Sequence, residues 1–149
     1  MPKQIEDVIR STLKGDTQQN ALDLVAHLCA SGQPIIMHDE KNESGWNAPD
    51  LGFILITGTD DFPGPWTMWL GAENLGENAP IPVDEHIKEF AWAHVSPCGS
   101  CGGKCTPGTR TTVFGKVFDN VCQHNLMFTN PNVEAVESMK KIVDIRRKP

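Results

Sequence analysis

Residues 52–71 read GFILITGTDDFPGPWTMWLG. Two apolar runs, 52–58 and 66–71, flank a polar stretch that carries the pair Pro63-Gly64. Runs this short suit strands better than helices, and a brief turn-rich connection favours an antiparallel hairpin. The first run is too uniformly apolar for a half-exposed strand, so it predicts a central position in a sheet. Trp66 and Trp69 are three residues apart, which turns their side chains to opposite faces of a regular strand.

Working toward the N-terminus, QPIIMH (33–38) predicts another strand, and DEKNESGWNAPD (39–50) a loop rich in turn residues. Before these, Ile5, Val8, Ile9 and Leu13 recur at helical spacing and predict a helix over 3–14. Gly15-Asp16 breaks it, and a second helix is expected from Thr17 to a stop at Gly32. On that helix Leu22, Val25 and Cys29 form one ridge and Leu24 and Leu28 the next, which predicts a buried Cys29 thiol.

Toward the C-terminus, Asp84 can cap a third helix that carries Ile87, Phe90, Ala91 and His94 on one face and ends at Pro97. TTVFGKVF (111–118) and LMF (126–128) predict strands. Asn130-Pro131 predicts a fourth helix, with Val133, Val136, Met139 and Ile142 or Val143 on its buried face. The expected architecture is therefore α+β: a single two-layer domain over 1–149, with an antiparallel sheet of about four or five strands packed with helices. A cysteine-rich insert over 97–124 interrupts it.

Bulk composition agrees. The chain has 149 residues, of which 39% are hydrophobic and 21% charged, the balance of a globular protein with its own core. A formal charge of -6 excludes a nucleic-acid backbone as the general partner. The basic residues Lys140-Lys141 and Arg146-Arg147-Lys148 suit a helix C-terminus. The longest apolar runs fall far short of the roughly 20 residues that span a bilayer. MPKQIEDVIR lacks the apolar core of a secretory signal. A cytoplasmic location is expected, where clustered cysteines serve metal or redox chemistry more often than structural disulfides.

Four of the five cysteines lie in CGSCGGKCTPGTRTTVFGKVFDNVCQH (98–124). The pattern is Cys98-x2-Cys101-x3-Cys105-x16-Cys122-x-His124. Zinc takes four thiolate or imidazole donors in a tetrahedron, and the glycines between the first three thiols let a backbone curl round an ion. The expected ligands are Cys98, Cys101, Cys105 and Cys122, with His124 able to replace one. Lys104, Arg110 and Lys116 are available to offset thiolate charge. Three rivals remain open: disulfides, a redox pair at Cys98/Cys101, and an iron–sulfur cluster. The redox pair is disfavoured because a thioredoxin-type motif follows a strand and opens a helix, whereas here a helix precedes and Gly102-Gly103 follows. The cluster is disfavoured by a spacing unlike bacterial ferredoxin runs.

CxxCxxxCxPG, then FGKxFxNVC, then a short strand and an Asn-Pro-started helix is a pattern similar to the C-terminal part of a family of small uncharacterised bacterial proteins. The resemblance covers the last third of the chain and implies a shared module without an activity.

Other motifs are negative. GTRTTVFGK has the wrong spacing for a phosphate loop and Val117 where a Ser or Thr is needed. Neither G-x-S-x-G nor HExxH occurs. His38, Asp39 and Glu40 suit a solvated strand end. Trp46, Trp66 and Trp69 are the candidate ligand-binding residues, because an indole offers a broad apolar face and one donor. The function expected is a non-enzymatic, zinc-stabilised module that binds a small molecule or a protein. A thiol-redox or metal-responsive protein using Cys98/Cys101, or a metalloenzyme with an open zinc site, are the alternatives.

Overall fold

The computed structural model describes residues 4–39, 42–49, 51–59, 64–71, 84–97 and 109–147. Within these ranges the side chains at 38–39, 42–44, 96–97, 109, 122–125 and 146–147 are not described. The chain is α+β. Among the described residues there are helices α1 (Ile5–Thr12), α2 (Gly15–Ala30), α3 (Glu85–Ala93) and α4 (Val133–Arg147). The strands are β1 (Ile36–Asp39), β2 (Asn42–Ala48), β3 (Gly52–Ile56), β4 (Trp66–Leu70), β5 (Val95–Pro97), β6 (Thr109–Val113) and β7 (Lys116–Thr129). None of these helices is long and apolar enough to cross a membrane.

Contacts divide the chain into two compact units, Met1–Met68 with Phe128–Lys140, and Trp69–Met127 with Lys141–Pro149. In the first unit, α1 packs on α2, β2 and β3. Its core is made by Ile5, Val8 and Ile9 of α1 and Leu24, Val25 and Leu28 of α2, together with Trp46, Ile54, Ile56, Trp66 and Met68 from the strands. β1, β2 and β3 form an antiparallel meander, with Trp46 opposite Met37 on one side and Ile54 on the other. β4 lies next to β3. The hairpin between them is closed where Thr57 and Gly58 N–H both donate to the Pro65 carbonyl at 2.9 Å.

The 39–50 segment departs from expectation, because its residues 42–48 pair as a strand instead of looping. Polarity hid it: Asn42, Glu43, Ser44 and Asn47 weaken the apolar signal, while Trp46 and Ala48 are almost fully buried. In α2 the buried stripe is Ala21, Leu24, Val25 and Leu28, which leaves Cys29 exposed and corrects its expected place in the core. α1 ends at Thr12. There the Gln18 side-chain amide donates to Leu13 O at 2.7 Å and Arg10 O at 3.2 Å, satisfying carbonyls that the helix end leaves without partners.

In the second unit, Asp84 caps α3 as expected, accepting from His86 N–H at 3.1 Å. The helix stops at Ala93 rather than Pro97, and the chain goes straight into β5. TTVFGKVF is not one strand but the tip of the β6–β7 hairpin. Val113 pairs with Lys116, and the two residues between them, Phe114 (φ +48) and Gly115 (φ +83), are both left-handed. That is the type I′ turn suited to a twisted hairpin. Phe114 is buried to 7% exposure, so packing holds an aromatic residue in a conformation usually left to Asn or Gly.

α4 is capped by Asn132 and not by Asn130. The Asn132 Oδ1 accepts from Ala135 N–H at 2.8 Å. Val133, expected on the buried face, is 60% exposed, whereas Val136, Met139, Ile142 and Val143 are buried.

Candidate metal centre

The second unit frames the cysteine segment. β5 and β6 both run antiparallel to β7, with Pro97 opposite Val121 and Thr109 opposite the same Val121. A strand residue has one neighbour on each side, so β5 and β6 flank β7 at this point. Pro97 and Thr109, separated by eleven residues of sequence, therefore lie on opposite sides of Val121. Strands in a sheet lie about 4.8 Å apart, which sets the two strand ends about 10 Å from each other. Cys98 follows Pro97 and Cys122 follows Val121.

β7 is irregular here on both sides. Against β6, the register shifts between Thr109 and Thr111, and Asn120 takes a left-handed conformation at φ +56. Against β5, pairing jumps from Pro97–Val121 to Val95–Leu126, so residues 122–125 stand opposite Ser96 alone. Cys122 and His124 belong to this bulged stretch. A bulge bends its strand and re-aims side chains, and bulges recur beside functional sites.

The frame around these strands is well packed. α3 lies on β6, and Val113, Val121, Leu126, Ile87 and Ala91 are buried to 3% exposure or less. The Trp92 indole N–H donates to the Val113 carbonyl at 2.6 Å. Lys116 Nζ lies 5.3 Å from the Trp92 ring centroid and 5.4 Å from that of Phe118, a geometry in which an ammonium is attracted by both rings. The His94 ring lies tilted by 42° against Phe90 with centroids 4.4 Å apart and Nδ1 2.7 Å from the Phe90 carbonyl. Because a carbonyl only accepts, that nitrogen carries the proton. His94 O in turn accepts from Met127 N–H at 2.9 Å.

Of the residues expected to offset thiolate charge, Arg110 pairs with Asp119 at 3.2 Å and Lys116 lies over the two rings. Cys98, Cys101, Cys105 and Lys104 lie outside the described residues, and for Cys122 and His124 only the backbone is described. Among the described residues no three His, Cys, Asp or Glu are grouped as a metal site. The donor set fits zinc by chemistry, since thiolate and imidazole are its preferred ligands.

The tryptophans sit differently from expectation. Trp46, expected in a loop as the wall of a ligand site, lies in β2 at 2% exposure, and Trp66 is 1% exposed. Both are core residues with no face open to a ligand. Trp69 is half-buried. The Trp66 Nε1 is buried and has no hydrogen-bond partner among the described residues. Of the strand end at 38–40, Glu40 lies outside the described residues and the other two side chains are not described.

One cleft escaped the sequence. A cavity of about 350 Å³ in the first unit is lined by Gln4, Glu6, Cys29, Gln33 and Ile35 among others. Partial desolvation, reinforced by the Glu6 carboxylate, pushes the Cys29 thiol above its usual value, so it stays protonated at neutral pH. Only the exposure of Cys29 could have signalled this cleft, and the helical ridge assignment concealed it.

Comparison with protein-family models, curated proteins and solved structures finds no match.

Proposed function

We propose that this chain is a non-enzymatic binding module whose residues 98–124 hold one zinc ion through Cys98, Cys101, Cys105 and Cys122, with His124 able to take one position. The observation that supports it is the double pairing of Val121. It anchors both ends of the glycine-rich cysteine segment beside a fourth cysteine that is distant in sequence. Eleven residues with five glycines or cysteines in their first six positions have too little apolar surface to fold back by burial. Coordination supplies the missing energy, on the order of 10 kcal/mol in favourable sites. With Trp46 and Trp66 in the core, recognition by this module falls to other surfaces.

Elemental analysis of protein purified under reductant, together with a free-thiol count, tests this reading. One zinc per chain and one reactive thiol, Cys29, are expected. No metal and two or fewer free thiols would replace the clasp with disulfides.

A further inference from the structure

We propose that Trp92 and Phe118 form a two-walled aromatic site for a methylated or quaternary ammonium group, with the Lys116 ammonium as its built-in occupant, displaced when the ligand binds. This gives the binding module proposed above a ligand class. It rests on that reading but on none of the cysteines.

The site is assembled where α3 meets the β6–β7 hairpin. Lys116 and Phe118 are two residues apart in β7 and so share one face of the strand. Trp92 reaches that face from α3, and its indole N–H donates to the Val113 carbonyl at 2.6 Å. Val113 is the residue paired with Lys116, so the bond sets the indole beside the lysine. An indole has one donor, and here it is already used. What Trp92 offers a ligand is its ring face. Lys116 Nζ lies 5.3 Å from the Trp92 centroid and 5.4 Å from the Phe118 centroid, within the range of about 6 Å over which an aromatic face attracts a cation. Both rings are half-buried, while Lys116 is exposed.

The chemistry of the walls selects the kind of cation. Among the described residues no carboxylate pairs with Lys116, and Asp119, close by in sequence, is held by Arg110 at 3.2 Å. A primary ammonium is strongly hydrated and carries three N–H donors, which two ring faces satisfy poorly. A metal ion needs oxygen, nitrogen or sulfur donors, which these faces lack. A quaternary ammonium has no N–H, spreads its charge over methyl groups, and is the cation that aromatic walls recognise best. The walls therefore match such a group better than the lysine that occupies them. Lys116 is a tethered competitor on a flexible four-carbon stem, and its removal raises the apparent affinity by removing that competition. The formal charge of -6 favours the approach of a cation.

Tetramethylammonium chloride titrated into the full chain under reductant, followed by the NMR signals of the Trp92 indole N–H and the Phe118 ring, tests the proposal. Saturable shifts at both residues are expected, absent with sodium chloride at the same ionic strength. Methylammonium is expected to bind at least threefold more weakly. Lys116→Ser, an exposed substitution, should tighten binding at least twofold, and Phe118→Leu should weaken it at least fivefold. Choline and a peptide carrying trimethyllysine, titrated in parallel, separate the two sources. Tighter binding of the first marks a free ligand, and tighter binding of the second a methylated side chain. Shifts that sodium chloride reproduces, binding unchanged by Lys116→Ser, or binding unchanged in a folded Phe118→Leu would overturn the proposal. Zinc content is read separately, so failure of this site leaves the metal reading intact, and the reverse holds.

Discussion

Phe114 carries the sharpest conflict of local terms. Its left-handed backbone costs about 1–2 kcal/mol for a residue with a side chain, whereas truncating a buried phenylalanine costs about 3–5 kcal/mol. Burial wins. Phe114→Asn, which suits the turn better, is therefore expected to lower stability by about 2–3 kcal/mol in denaturant unfolding. Gly58 is the opposite case, a position where a side chain has no room. At φ +73, a Cβ would lie 2.6 Å from Thr12 Cγ2 and 3.1 Å from the Thr12 carbonyl oxygen. Gly58→Ala should cost about 1–3 kcal/mol by the same measurement. Cys29 tests an electrostatic effect. Its thiol, held protonated by partial desolvation and by Glu6, should alkylate more slowly at pH 7.5 than a cysteine in an unfolded peptide. Glu6→Gln should speed that reaction, as read by peptide mass spectrometry.

Elements were legible where a single periodicity ran uninterrupted. Ile5, Val8 and Ile9 marked α1, the apolar run at 52–56 marked β3, and Asp84 marked the start of α3 through its side-chain oxygen. Elements were missed where a turn lacked its customary residues or a strand alternated weakly. Phe114-Gly115 does not look like the Asn-Gly of a tight hairpin, so the end of β6 and the start of β7 read as one strand over 111–118. β2 was hidden by its polar positions. At α4, Asn130-Pro131 was the expected start, and the cap falls two residues later at Asn132. Asn132→Ala should cost about 1 kcal/mol. Lys140 fastens the same helix to α2, with Nζ 2.8 Å from Asp23 and 3.0 Å from Glu137. Desolvation alone would lower its ammonium, but hydrogen bonds to both carboxylates and their charge outweigh this and hold it above the ordinary lysine value of 10.5. A raised folded value contributes its full stability below the unfolded value, and that contribution is lost as pH rises through the folded one. The difference in stability between the wild type and Lys140→Met, about 0.5–1 kcal/mol for a partly exposed pair, should hold up to about pH 10 and shrink above 10.5.

At the scale of the molecule, the sequence announced the α+β class through alternating helical and strand patterns, and announced the cysteine cluster through spacing. It could not announce that Pro97 and Thr109 face the same residue of β7, because register depends on two bulges that leave no compositional trace. That register sets the described residues on both flanks of the cysteine segment against one residue of β7. The burial of Trp46 and Trp66 removes the tryptophan-walled pocket from the account, since amphipathic rings in short strands fill cores as readily as they line clefts. The central claim is that sulfur atoms from both parts of residues 98–122 meet around one ion. X-ray absorption at the zinc edge on reduced, zinc-loaded protein tests it most directly. The account predicts three or four sulfur ligands at about 2.3 Å with at most one nitrogen, and the loss of one sulfur in Cys122→Ser. A first shell of nitrogen and oxygen at about 2.0–2.1 Å, or a spectrum unchanged by Cys122→Ser, would contradict it.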